Sequence, residues 1–182
     1  MILLPDLKAV YVSCPRTGSH TMFAVLTNRY GGSHYEPWDD YHRRDILPDC
    51  ADWYKFTNVR NPYSRAVSIW RAMGMERKFR VAEMTFAAFA ENLANGKLIA
   101  WRITLAQHVW HGENEYDEIL KVESLDEDAK RLSFWNGPDH IPVATNTTQG
   151  RPWIDEYTGA IARDIETWAG PEFERYGYER LT

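Results

Sequence analysis

Residues 8–30, "KAVYVSCPRTGSHTMFAVLTNRY", decide how this chain is read. The apolar run KAVYVS (8–13) has the character of a buried strand. It enters a polar turn that closes on Gly18, and from Ser19 to Tyr30 the positions of Met22, Phe23, Leu26 and Tyr30 fall on one face of a helix. A strand that turns tightly into a helix leaves several backbone N–H groups aimed at one spot, where the helix dipole favours negative charge. Gly18 lets a ligand approach closely, Ser19 and Thr21 add hydroxyl donors, and Arg16 adds a permanent cation with a planar fork of donors. The stretch reads as an anion loop with an early cation.

What the loop lacks narrows the anion. A nucleoside-triphosphate loop has the form G-x-x-x-x-G-K-[ST]. The corresponding run here is CPRTGSHT, with Cys14 at the first glycine and His20 at the lysine; Thr21 agrees, and Gly18 stands one place before the second glycine. A cysteine-phosphatase loop needs an arginine where His20 stands. Both readings fail at the residue that performs their chemistry.

The totals bound the rest. With 182 residues the chain suits a single domain over 1–182 with a sizeable core. Eight tryptophans and ten tyrosines exceed what a small core needs, and some are available to line a cleft. The net charge of −5 conceals an asymmetry: residues 1–80 hold 12 Lys+Arg against 8 Asp+Glu, and residues 81–182 hold 9 against 18. An anionic ligand belongs with the basic N-terminal half, and the acidic remainder argues against nucleic acid. Cys14 and Cys50 form no metal or redox pattern. The start "MILLPDLK" is unlike a signal peptide and no apolar run approaches the roughly 20 residues that span a bilayer, so no membrane partner and a cytoplasmic location are expected.

Further along, "GGSHYEP" turns with room for a short strand, and "DDYHRRDIL" reads as a helix ended by Pro48. "WYKFTNVR" (53–60) is a second core strand, and Asn61-Pro62 opens a long helix striped by Tyr63, Ala66, Val67, Trp70 and Met73. Its other face carries Ser64, Ser68 and Arg71, and Arg65 and Arg71 read as solvated. Helices are expected near 85–94 and 97–110, a third strand at 116–123, a helix over "SLDEDAKRLSFW" capped by Ser124 or Asp126, and a last helix at 155–169. Alternating strands and helices predict an α/β fold: a three-layer parallel sheet with helices on both faces, P-loop NTPase-like. Ligands in such sheets bind at the carboxyl ends of strands, where Cys14–Thr21 and Arg60–Pro62 both fall.

"CPRTGSHT" and "VRNPYSRAVSIW" (59–70) together resemble the 5′-phosphosulfate loop and the R-N-P-x-x-R-x-x-S 3′-phosphate motif of sulfotransferases that use 3′-phosphoadenosine 5′-phosphosulfate, PAPS. "ILKVESLDED" and "EYTGAIARDIETWAGPEFERYGYE" are similar, less specifically, to that family's third strand and closing helix. The resemblance implies transfer of a sulfuryl group from PAPS, without a metal, to a hydroxyl or amine acceptor, with a carbohydrate in view. It puts Arg16 in place of the basic residue that contacts the sulfuryl group, often lysine. It has Thr17, Gly18, Ser19, His20 and Thr21 wrap the phosphosulfate, and Arg60 and Ser68 bind the 3′-phosphate. Gly150 and Arg151, in "ATNTTQGRPW", are further cofactor contacts. The base expected to take the acceptor's proton is His42, as in the family's carbohydrate members, with His34 and Glu36 as rivals. His20 would be charged by a bound anion. His108 and His111, three apart on a helix without a third ligand, read as structural. Two other functions compete: a nucleotide or adenylylsulfate kinase, which needs lysine at position 20, and a non-catalytic nucleotide-binding module.

Overall fold

A computed structural model describes residues 1–35, 45–75, 80–141 and 151–182. In chain order its elements are β1 (Ile2–Leu4), β2 (Ala9–Val12), α1 (Ser19–Tyr30), β3 (Ser33–His34), β4 (Tyr54–Val59), α2 (Pro62–Met75), α3 (Phe86–Ala94), α4 (Gln107–His111), β5 (Glu118–Lys121), α5 (Leu125–Ala129) and α6 (Gly159–Tyr176). The fold is α/β. Two compact units divide the chain: Met1–Arg60 with His111–Thr147, and Asn61–Trp110 with Thr148–Thr182.

The first unit holds a five-stranded sheet in the order β3-β1-β2-β4-β5. Strands β2, β4 and β5 are parallel, as expected, but β1 runs antiparallel to both β2 and β3, so the sheet is mixed rather than wholly parallel. The cause is chain length. Only Pro5–Lys8 join β1 to β2, through a 3₁₀ turn and a left-handed Lys8 (φ 45°), whereas a parallel crossover needs a dozen residues or more. All four residues of β2 are buried, which marks it as a strand covered on both faces. On one face Ile2, Leu4, Tyr11, Phe56 and Leu120 pack against Met22, Phe23 and Leu26 of α1. On the other, Val10 and Val12 meet Met1, Leu47, Trp53 and Tyr116. Helix α1 has the predicted bounds, with the predicted stripe inward.

The second unit packs α2, α3 and α6 around one apolar cluster that includes Tyr63, Val67, Phe89, Leu93, Ile165 and Phe173. The predicted stripe of α2 is buried, but so is much of the opposite face, and this corrects the reading of Arg65 as solvated. Arg65 is fully buried; its guanidinium donates to the carbonyls of Leu105 (3.0 Å) and Ile103 (3.4 Å) and lies 5.5 Å over the Trp168 ring. Those carbonyls are available because the helix expected over 97–110 is broken. Gly96 is left-handed, Arg102–Thr104 is a 3₁₀ turn, and the Thr104 hydroxyl bonds to Leu98 O (2.6 Å). Only Gln107–His111 is helical, and the buried carboxylate of Glu172 accepts from the N–H groups of Gln107 and His108 at its start. Arg71 is partly buried and ion-paired to Glu156 at 3.0 Å.

The other differences have local causes. Helix α5 covers only Leu125–Ala129 of the expected 124–135, and Asp126 caps nothing there because its oxygens accept from Ile141 N (2.7 Å) and pair with His140 (2.8 Å). Helix α6 starts later than expected, capped by Thr158 after a 3₁₀ turn at Trp153–Glu156, and runs through Pro171 to the left-handed Gly177. Of "DDYHRRDIL", residues 39–44 lie outside the described residues, and 45–47 are not helical.

Truncating Arg65 would take the donor from two partly buried carbonyls and empty its buried site. Arg65→Ala is expected to cost about 3 kcal/mol of stability, and the more accessible Arg71→Ala no more than about 1 kcal/mol. Denaturant melts of both variants check this, and equal losses would contradict it.

Candidate anion site at the start of helix α1

Strand β2 delivers the chain into a buried turn. Ser13 and Cys14 are wholly enclosed, and the backbone at Arg16 is left-handed (φ 66°), a conformation that costs a residue with a Cβ roughly 1–2 kcal/mol. Gly18 is left-handed as well (φ 78°). Left-handed residues inside a turn are one way in which backbone N–H groups converge on an anion. Between them the buried Thr17 donates its hydroxyl to Cys14 O at 2.8 Å. That bond braces the turn with the Thr17 hydroxyl and leaves the Thr17 backbone N–H as its group for a ligand.

Helix α1 begins without a cap. Its N-cap is Gly18, which offers no side-chain cap, and no acidic residue stands in its first turn. Helices α3 and α6, by contrast, are capped by Thr85 and Thr158. The start of α1 keeps its partial positive charge. Ser19 and Thr21 are buried there, Arg16 is half-buried and His20 is exposed.

The neighbouring strands wall the turn. A Cβ at Gly18 would stand 3.2 Å from Cγ2 of Val122, just past β5, and 3.8 Å from Nδ2 of Asn58, in β4. Asn58 is fully buried, and neither end of its carboxamide has a hydrogen-bond partner among the described residues. Because β2 and β4 are parallel, with Val12 opposite Thr57, Arg60 leaves β4 at the same end of the sheet at which Cys14 leaves β2. The Thr57 hydroxyl fastens this end by donating to Val12 O (2.6 Å) and contacting Nε2 of the buried His111 (3.1 Å).

Two histidines flank Phe23 in the first turns of α1. The His20 ring lies 6.2 Å from it and the His34 ring, on β3, 5.0 Å. Burial lowers the pKa of both, and the Arg16 guanidinium lowers that of His20 further. Both rings are thus biased toward the neutral form in the free protein, and only a bound anion would draw His20 toward imidazolium.

The structure thus brings Arg16–Thr21 and Arg60 to one end of one sheet. Ser68 lies in the second unit, buried on α2, as does Arg151, whose guanidinium is held by Glu156 at 2.7 and 3.0 Å. His42, Glu36 and Gly150 lie outside the described residues. His108 sits beside the buried Glu172, its Nδ1 at 3.5 Å from the carboxylate. Among the described residues no three His, Cys, Asp or Glu side chains come together around a possible metal. The site residue that sequence reasoning missed is Asn58; the signal was an amide at a position where the strand pattern "KFTNV" calls for an apolar group. No family model matches the chain, and no curated protein and no solved structure shows significant similarity to it.

Two outcomes follow from this geometry. Gly18→Ala is expected to lower stability by about 1–2 kcal/mol through its positive φ and the Val122 contact. In a Val122→Ala background only the φ part of that loss should remain, so complete rescue in denaturant melts would contradict the strain. An anion at α1 should raise the His20 pKa, so the complex binds more protons than the free protein and affinity strengthens as pH falls from about 8 to 5. Calorimetry across that range checks it, and affinity that weakens on acidification contradicts it.

Proposed function

We propose that this chain is a sulfotransferase whose α1 loop binds the 5′-phosphosulfate of PAPS, on a P-loop-like three-layer α/β scaffold. The observation that carries the reading is the uncapped start of α1, entered through left-handed Arg16 and Gly18 and placed at the same sheet end as Arg60. Gly18 is a position where a Cβ would crowd the wall, and the unsatisfied Asn58 amide lies against it. A bound phosphosulfate suits both features.

When bound, PAPS supplies an activated sulfuryl group. The acceptor oxygen or nitrogen forms a bond to sulfur as the bridging S–O bond to the 5′-phosphate breaks, and 3′-phosphoadenosine 5′-phosphate departs. The chain's share of such a transfer is placement and charge stabilisation. The N–H groups of residues 17–21 hold the anion, Arg16 faces the charge that builds on the transferring group, and Arg60 holds the 3′-phosphate. The acceptor's proton passes to a histidine, His42 as first expected or His34, which burial keeps neutral and so open to a proton. A kinase would need a lysine where His20 stands.

The test is calorimetric titration with 3′-phosphoadenosine 5′-phosphate, ATP and AMP, on wild type and Arg60→Ala. Preference for the 3′-phosphorylated nucleotide, weakened by the substitution, supports the reading. Equal or tighter binding of Mg-ATP overturns it in favour of a kinase, and binding without turnover on any acceptor favours a nucleotide-binding module. Where turnover is found, Arg16→Ala is expected to cost about 3–4 kcal/mol in kcat, the loss of one transition-state donor, while Arg16→Lys retains part of the rate.

A further inference from the structure

Asn58 is hard to explain as part of the fold alone. It shares a strand face with Phe56, which packs under α1, and its cross-strand partner Leu120 belongs to the same apolar cluster. Every neighbour of that kind argues for leucine at this position. Instead there is a carboxamide with no accessible surface, whose Nδ2 and Oδ1 are both unpaired among the described residues. Burying such a group unsatisfied costs its full desolvation penalty. Several other buried polar groups are paired: Arg65 to two carbonyls, Glu172 to Gln107, Thr57 to Val12 O. The Asn58 carboxamide is not, and its Nδ2 stands 3.8 Å from the Cβ that Gly18 lacks, beneath the start of α1.

We propose that Asn58 is a ligand-binding residue of the α1 site and sets its specificity: Nδ2 donates to an oxygen of the bound anion from below, while the loop N–H groups and Arg16 hold it from above. The inference rests on the reading of the loop as an anion site. A carboxamide offers a donor and an acceptor together, so a ligand group carrying an acceptor oxygen beside an O–H or N–H satisfies both of its ends. A sulfuryl oxygen next to an acceptor hydroxyl has that pattern. The unsatisfied amide of the free protein is the stability given up for this contact, in the way functional sites commonly break the rules of the surrounding core.

Asn58→Leu tests this, because a structural and a ligand-directed amide respond with opposite signs. In thermal melts without ligand the leucine variant is expected to be more stable than wild type. In titration with 3′-phosphoadenosine 5′-phosphate its affinity is expected to fall about ten- to a hundredfold, the range for a hydrogen bond to a charged group. Asn58→Asp, which keeps the shape and places a carboxylate against the anion, should lose at least as much. A lower melting temperature with unchanged affinity in Asn58→Leu overturns the proposal. Should that variant fail to fold, unchanged affinity in Asn58→Asp overturns it equally. If wild type ignores the nucleotide, inorganic phosphate, sulfate and pyrophosphate are scanned by thermal shift. Protection of wild type but not of Asn58→Leu would uphold Asn58 while the PAPS reading falls, and protection of neither would end both.

Discussion

A helix that starts on a glycine still has N–H groups to satisfy, and the N-cap Gly18 of α1 has no side chain to do it. The organisation of the first unit around the loop follows from that constraint. Gly18 is left-handed and close against Val122, so the wall behind the loop leaves little room for a Cβ. Arg16 holds a conformation unfavourable to any residue but glycine. Thr17, which has a hydroxyl to offer, turns it inward to lock the loop on Cys14. The parallel pairing of β2 with β4 then delivers Arg60 to the same sheet end. Each of these choices leaves positive potential at one point, and a fold selected for stability alone would have capped the helix with serine or aspartate.

The second unit shows how the same chain treats buried polarity when only structure is at stake. Arg65 and Glu172 are both enclosed, and each is met by backbone groups that a broken helix turns toward it. The break at residues 96–106 is therefore part of how the charges are accommodated. Against that standard an unpaired Asn58 in the first unit stands out, and its place under the loop gives it a use.

Much of this was legible in the sequence where one period dominated. Strands β2 and β4 and helices α1, α2 and α3 show their apolar spacing over enough residues to be read directly. Strand β1 was not, because three apolar residues before Pro5 carry no period, and with it went the mixed sheet. The break in 97–110 was hidden because Glu172 acts through tertiary contacts, while the local residues are compatible with helix. Arg65 sat at a spacing that promises solvent, and only the carbonyls of Ile103 and Leu105 explain its burial. The turn from β2 into α1 was legible down to its residues, since Gly18 and an apolar helix after a buried strand are local features. Asn58 needed the register of β4 beneath α1 to acquire a meaning.

The central claim is that the start of α1 holds an anion, and backbone amide NMR of the full chain addresses it most directly. On addition of 3′-phosphoadenosine 5′-phosphate without metal, the account predicts that the largest shifts fall on the N–H groups of Thr17–Thr21, with the Asn58 side-chain amide and the Arg60 guanidinium moving at the same ligand concentration. Large shifts confined to other parts of the chain, with Thr17–Thr21 unmoved at saturation, would contradict it.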